Sequence, residues 1–262
     1  ACASSLFAMK MACDRLHDKT ADLMLAGGVQ GSDDLIIHIG FCTLQAMSRT
    51  GQSRPFHKNA DGLVPAEGSG FIVLKRLEDA VRAGDKIHGV IRGIGLSNDG
   101  KGHGLLVPSA DGQFKAMQKA YQMSGIRPSQ ISLLECHATG TKVGDDIELE
   151  SSSRIFDGLN GVPIGTIKSN MGHPITASGV AGLLKVTGAM KAGIRPPTLH
   201  VDEPTEKLKN TPFRLLKTSE PWLSNSPRIA AISNFGFGGN NAHLIIEEFD
   251  KESYKKSSKS AI

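Results

Sequence analysis

The sequence predicts an α/β protein built from layered helices and sheets. Three observations lead there. Segments of helical and strand character alternate along the 262 residues. Thirty glycines, about 11% of the chain against a usual share of about 7%, imply tight turns and close backbone approach. The Gly/Ala-rich segment from Ile175 to Ala192 carries apolar residues on most faces and reads as a buried helix.

The elements follow in chain order. Ser4 or Ser5 caps a first helix, whose apolar face is Leu6, Met9, Cys13 and Leu16 at helical spacing. Asp22 to Ala26 reads as a buried strand stopped by Gly27-Gly28. Asp33 and Asp34 open a second helix holding Leu35 and Ile39. Gly70 to Lys75 is a strand, Leu77 to Ala83 a short helix, and Ile87 to Leu96 a longer strand. A helix with Phe114, Met117 and Tyr121 ends near Gly125, ahead of Pro128. Ile131–Cys136 and Val162–Ile167 are strand-like. Ile229–Ser233 and His243–Glu248 are two late strands joined by the loop Phe235 to Gly239. Residues 250–262 are polar and read as a tail or linker. No short-period repeat is present.

Composition excludes several classes. Lysine and arginine total 30 against 26 acidic residues, a formal charge of +4. That small excess is spread along the chain, apart from Lys255, Lys256 and Lys259, and is no nucleic-acid footprint. Charged residues at 21% and apolar ones at 39% argue against disorder. No run reaches the roughly 18 apolar residues of a membrane span. Four cysteines without CxxC or framework spacing imply reduced thiols and a cytoplasmic protein. The sequence shows no signal peptide and no initiator Met, and opens at Ala1-Cys2-Ala3-Ser4-Ser5, which suggests a fragment.

Several residues carry potential chemistry. Cys2 precedes a helix, where the dipole and free N–H groups lower a thiol's pKa and supply a nucleophilic thiolate. His137 follows a strand and begins His137-Ala138-Thr139-Gly140-Thr141, the kind of position where α/β folds place sites. His173 closes Lys168-Ser169-Asn170-Met171-Gly172-His173, again past a strand, and a nearby lysine can fix an imidazole's protonation state. The loop Gly236 to Asn241 can present N–H groups as an oxyanion hole, and lacks the Gly-Lys-Ser/Thr of a phosphate loop. Taken singly, each has a plainer and commoner reading: an inert buried cysteine, a satisfied loop histidine, a surface lysine beside a capping histidine, a glycine turn. Cys13, Cys42 and Cys136 are read as inert and buried. Cys136-His137 with distant histidines fits no common zinc spacing, so no metal is expected.

Together and in this order the motifs are specific. The sequence resembles the β-ketoacyl synthase (ketosynthase) family of fatty acid and polyketide synthases. The matching stretches are Ala1 to Leu6, GQSRPFHKNADGLVPAEGSG from Gly51, HATGTKVGDDIE from His137, KSNMGH from Lys168 and NFGFGGNNAH from Asn234. The resemblance runs from Ala1 to about Phe249 and is strongest for the modular polyketide and polyunsaturated fatty acid synthase type.

The resemblance implies a thiolase-like fold, two α/β halves in an αβαβα stack, and a homodimer. It implies decarboxylative Claisen condensation with acyl carrier protein as partner and malonyl and acyl thioesters as substrates. No redox cofactor or metal is implied, because phosphopantetheine carries the substrate. Cys2 would match the acyl-accepting nucleophile. His137 and His173 would match the pair that promotes decarboxylation and stabilises the enolate, with Lys168 in support. Thr139 and Thr141 would contact pantetheine. The N–H groups of Cys2 and Phe237 would form the oxyanion hole, with Phe237 gating the acyl pocket beside Gly238. Asp145 and Glu148 would shape the site, and Glu148 holds a structural cation in some members.

Departures are mild at Ala138, where glycine is usual, and at Asn240, where threonine is common. The larger departure is the missing segment before Cys2. Residues 1–92 would be the remainder of an incomplete N-terminal half, and 93–249 a whole C-terminal half. An exposed sheet edge and apolar surface are then expected, with no activity from this chain alone. The competing readings are a non-catalytic partial domain or chain-length-factor-like partner, which the presence of Cys2 disfavours, and a thiolase relative acting on coenzyme A thioesters, which the two histidines with Lys168 disfavour.

Overall fold

The computed structural model describes residues 1–31, 35–101, 107–252 and 254. Helix α1 (Ser4–His17) leads to strand β1 (Met24–Gln30), helix α2 (Leu35–Thr43), strand β2 (Gly68–Leu74), helix α3 (Leu77–Ala83) and strand β3 (Val90–Asn98). Helix α4 (Ala110–Ser124), strand β4 (Leu133–Glu135), helix α5 (Lys142–Ile155), strand β5 (Val162–Gly165), the one-turn helix α6 (Lys168–Met171) and helix α7 (Ser178–Ala192) follow. The chain closes with β6 (Ile194–Arg195), β7 (Phe213–Leu215), β8 (Glu220–Pro221), β9 (Ile229–Gly236) and β10 (Asn240–Glu247).

A six-stranded sheet in the order β3-β10-β9-β4-β5-β7 forms the centre. β10 runs antiparallel to both β3 and β9, whereas β9, β4, β5 and β7 are mutually parallel. One core, with Met117, Leu149, Phe156 and Phe235, lies under α4 and α5 on one face. A second, with Leu6, Met9, Val180, Val186 and Trp222, joins the other face to α1 and α7. Beyond α1 and α7 lies the β1–β2 ribbon, so helices and sheets stack as α, β, α, β. Gly95 on β3 permits the close seat of α4: a Cβ there would stand 2.0 Å from the Ala116 carbonyl oxygen.

Several sequence expectations need correction. The cap of α1 is Ala3, with no side-chain cap bond. Ser5 instead accepts the Val180 N–H at 3.1 Å, tying α1 to α7. Cys13 is only partly buried; Ala12 takes its place on the buried face with Leu6, Met9 and Leu16. β1 does not stop at Gly27-Gly28, because both glycines pair with β2, and a Cβ on Gly27 would strike the Gly70 carbonyl. Nor is β1 buried: Leu25 and Val29 project outward from one face of a two-stranded ribbon. Leu35 and Ile39 of α2 are exposed, and Asp33 and Asp34 lie outside the described residues. Most of the 250–262 segment, including Lys255, Lys256 and Lys259, also lies outside them. α7 buries Val180, Leu183, Val186, Ala189 and Met190 but exposes Leu184, Gly188, Lys191 and Ala192, after a 3₁₀ turn over Ile175–Ala177. The sequence reading missed α5. Among the described residues, no helix is long and apolar enough to cross a membrane.

Candidate active site

The site forms where parallel strands end together, as α/β sheets generally place it. β4 delivers His137 two residues after Glu135, β5 leads through Thr166 and Ile167 into α6 with Lys168, and β9 ends in the Phe237-Gly238-Gly239 hairpin turn. Gly238 and Gly239 sit at φ 86° and 77°, a left-handed conformation that glycine tolerates, so the turn reverses into β10 without strain. Cys2 meets these three strand ends from the N-terminal end of α1. Its carbonyl accepts hydrogen bonds from Ser178 Oγ at 3.1 Å and Asn234 Nδ2 at 3.3 Å. Neither of these positioning residues was assigned a role from sequence; Asn234 stood inside a quoted motif, and Ser178 left no signal.

His173 Nε2 lies 3.2 Å from Cys2 Sγ. The His137 and His173 rings pack edge-on, with centroids 5.3 Å apart. Cys2, His137 and His173 each offer a ligand atom, all within 4.8 Å of one another, so the fold assembles a potential metal triad that sequence spacing did not reveal. Backbone N–H groups of Phe237 and of Cys2 itself are directed at the thiol. A cavity of about 430 Å³ opens in front, lined by His137, Thr139, Thr141, Phe237 and Gly238. Thr139 and Thr141 share a hydrogen bond at 3.0 Å. The Phe237 ring rests 5.7 Å from that of Phe41 on α2.

Burial governs the electrostatics. It pushes the Cys2 thiol above its ordinary range, against the pull of the Phe237 N–H and of the Lys168 charge. The helix terminus therefore does not by itself give a resting thiolate, contrary to the sequence expectation. Burial, helped by the Lys168 charge, holds His137 and His173 well below the usual imidazole value, so both are neutral. Lys168 is itself pulled down by burial, while the nearby charges of Glu135 and Glu148 raise it. Of the other cysteines, Cys136 is buried, Cys13 half-buried and Cys42 exposed, so the buried assignment fails for Cys42; all are free thiols.

Asp145 and Glu148 project from α5 and tie the loops together. Glu148 accepts the His137 and Ala138 N–H groups, both at 2.7 Å, which sets the His137 backbone. Asp145 accepts the Phe56 N–H at 2.8 Å and the Gly140 N–H at 3.2 Å. The 51–70 motif thereby becomes a strap over both histidine loops: His173 N–H donates to Val64 O at 2.7 Å, and Ala66 N–H to His173 O at 3.1 Å. Burial drives Asp145 up to about 7. Its folded pKa thus exceeds its unfolded value of about 3.9. Between about pH 4 and 7 the folded chain holds a proton that the unfolded chain has released, so this group lowers stability as pH rises through that window. Burial lifts Glu148 as well, to about 8. Denaturation midpoints measured from pH 4 to 8 are expected to show the decline from both groups, and Asp145→Asn should make it shallower.

Sequence reading also missed Glu135 and Lys185. Glu135 is buried and takes the Ile167 N–H and the Lys185 ammonium, both at 2.6 Å. It thus fixes the turn entering α6 and the Lys168 backbone. Lys185→Met would strand the buried carboxylate, at a cost of about 3–5 kcal/mol. Urea unfolding is expected to show that loss, and an unchanged midpoint would refute the pairing.

Known proteins share this sequence pattern and fold. The sequence profile described as "Beta-ketoacyl synthase, N-terminal domain" matches residues 1–80, and that described as "Beta-ketoacyl synthase, C-terminal domain" matches residues 88–202. The chain is 42% identical over 256 residues to a polyunsaturated fatty acid synthase polypeptide of Thraustochytrium sp., covering 95% of this chain and 12% of that protein. It is 40% identical to polyketide synthase PksL of Bacillus subtilis, covering 96% and 6%. The ketosynthase from module 6 of the bacillaene synthase of Bacillus subtilis superimposes with a TM-score of 0.92 at 40% identity, over 95% of this chain and 46% of that one. A structure described as PfaC keto synthase–chain length factor gives 0.89 at 41%, over 95% and 27%. The chain therefore spans less than half of these solved structures. Its fold is that of these thiolase-like enzymes, and the chain belongs to the β-ketoacyl synthase family.

Proposed function

We propose that this chain carries the condensing site of a β-ketoacyl-(acyl carrier protein) synthase, acting in fatty acid or polyketide synthesis. The observation that carries the reading is the convergence of Cys2, His173 and His137, with the Phe237 N–H on the thiol and His137 lining the adjoining cavity. A second copy of the chain, an acyl carrier protein and a cytoplasmic setting complete the proposal. Residues 1–92 would be the remainder of the N-terminal thiolase-like half, 93–249 the C-terminal half, and residues 250–262 a tail or linker.

In the first half-reaction Cys2 gives its proton to His173 Nε2 as Sγ attacks the acyl thioester carbonyl. The N–H groups of Cys2 and Phe237 stabilise the tetrahedral oxyanion. The carrier's thiolate leaves and takes up a proton from the imidazolium, so Cys2 ends acylated and His173 neutral. In the second, the malonyl thioester loses CO₂ and its C–C bonding pair becomes an enolate. Neither Nδ1 has a protein partner among the described residues, so no hydrogen bond fixes the ring proton there, and each neutral imidazole is able to present it on Nε2. Two such donors stabilise the enolate oxygen. The enolate carbon attacks the Cys2 thioester, and Sγ departs as a thiolate as the new C–C bond forms, then takes a proton from solvent to restore the thiol. Lys168 keeps the histidines neutral by its charge, and Thr139 and Thr141 line the pantetheine path.

The presence of nucleophile and both histidines supports this reading over a chain-length-factor-like partner. The outward apolar face of β1–β2, with Leu25, Val29, Phe71 and Val73, is the ground for expecting the 262-residue chain alone to turn over poorly. Intact-mass analysis after incubation with an acyl thioester tests the site. One adduct per chain, with CO₂ release on adding malonyl thioester, is expected from a longer protein that contains this chain, and little or none from the 262-residue chain alone. No adduct from the longer protein would overturn the proposal.

A further inference from the structure

The same three side chains that suit condensation also suit a soft divalent metal. Cys2 Sγ and one ring nitrogen each of His137 and His173 fall within 4.8 Å of one another. The ligand atoms of a tetrahedral zinc ion stand roughly 3.3–3.8 Å apart, so side-chain rotations closing about 1 Å complete the set. One thiolate and two imidazoles form the Cys–His₂ combination that zinc favours over magnesium or calcium. Both imidazoles are neutral and therefore free to ligate. Lys168 opposes a cation here, so affinity depends on the three ligands themselves. His137 lines the open cavity, so the triad adjoins a route from solvent.

We propose that Cys2, His137 and His173 form a zinc-binding site whose occupation inhibits the enzyme. Binding replaces the Cys2 S–H bond by a Zn–S bond, and the proton is released to solvent. The bound thiolate is then unable to attack a thioester, and neither imidazole is able to donate to an enolate. The inhibitory part rests on the proposed condensing function; the binding part does not.

The test reads binding and thiol protection without any substrate. Zinc is titrated against a chromophoric chelator, and thiols are then labelled with iodoacetamide and mapped by mass spectrometry. One zinc per chain is expected, with Cys2 labelling suppressed at least tenfold and restored by EDTA. The exposed Cys42 should label equally with and without metal, which makes it an internal control. Cobalt in place of zinc should give a thiolate charge-transfer band that is lost in Cys2→Ser. His173→Ala should lose protection of Cys2, and circular dichroism checks that the variant is folded. The wild-type comparison requires no variant: equal Cys2 labelling with and without zinc overturns the proposal. So does unchanged zinc stoichiometry in Cys2→Ser. Acyl transfer is measured separately on metal-free protein, so failure of the condensing function and failure of the zinc site give different results.

Discussion

Cys2→Ala is expected to abolish the acyl adduct and to lower condensation by at least about 10⁴-fold, the scale seen when a nucleophile working as part of a catalytic unit is lost. The expectation rests on thiolate supply. Burial raises Cys13 to about 11 and Cys136 well above its ordinary value. Cys136 Sγ contacts the Leu134 carbonyl oxygen, and among the described residues neither thiol is hydrogen-bonded to an imidazole. Cys2 is also raised, but His173 Nε2 is 3.2 Å away and the Phe237 N–H faces the sulfur. Cys42 is exposed and free to react with small alkylating agents, yet it lies outside the oxyanion donors. Intact mass and peptide mapping decide the matter. An adduct that persists in Cys2→Ala, or equal labelling of several cysteines by the acyl donor, would mean that the motifs do not form a working site.

His137→Ala and His173→Ala should each lower malonyl decarboxylation by about 10²–10³-fold, the usual loss when one donor to a developing oxyanion is removed. They should differ in the first half-reaction. His173 contacts the thiol and His137 does not, so only His173→Ala should also slow acylation of Cys2. The pH profile supplies an independent check. Both histidines are held well below 6.5 by burial, so the neutral donors persist as pH falls through the ordinary imidazole range. Single-turnover decarboxylation should therefore stay level between about pH 8 and 6. A fall with a midpoint near 6.5 would show that one imidazole titrates normally, and would remove the basis for two neutral donors.

The fit between sequence and structure was uneven for identifiable reasons. α4 was legible because Met117 and Tyr121 recur at helical spacing and Gly125 closes the helix in a left-handed conformation. α5 was not, because its buried face is Asp145, Glu148, Ser151 and Ser152. A helix that buries polar groups against loop N–H donors leaves no apolar period to find. β1 was shortened at Gly27-Gly28 because glycine usually ends strands; here glycine is what the ladder requires opposite Phe71 and Gly70. The buried assignment failed for Cys42 because α2, which ends one residue after it, buries none of its residues and leaves Leu35, Ile36 and Ile39 exposed.

The sequence by itself determined the family, the order of the motifs and the candidate reacting groups, because those depend on residue types at set places in the chain. Tertiary structure alone decided whether the groups meet. Residues 2, 137, 168, 173 and 237 come together only because β9, β4 and β5 are parallel neighbours that end at one edge of the sheet. It also decided their charge states. Burial overrides the helix terminus at Cys2, keeps both imidazoles neutral and lifts Asp145 to about 7. Desolvation depends on what packs around a group, and a linear sequence does not state that.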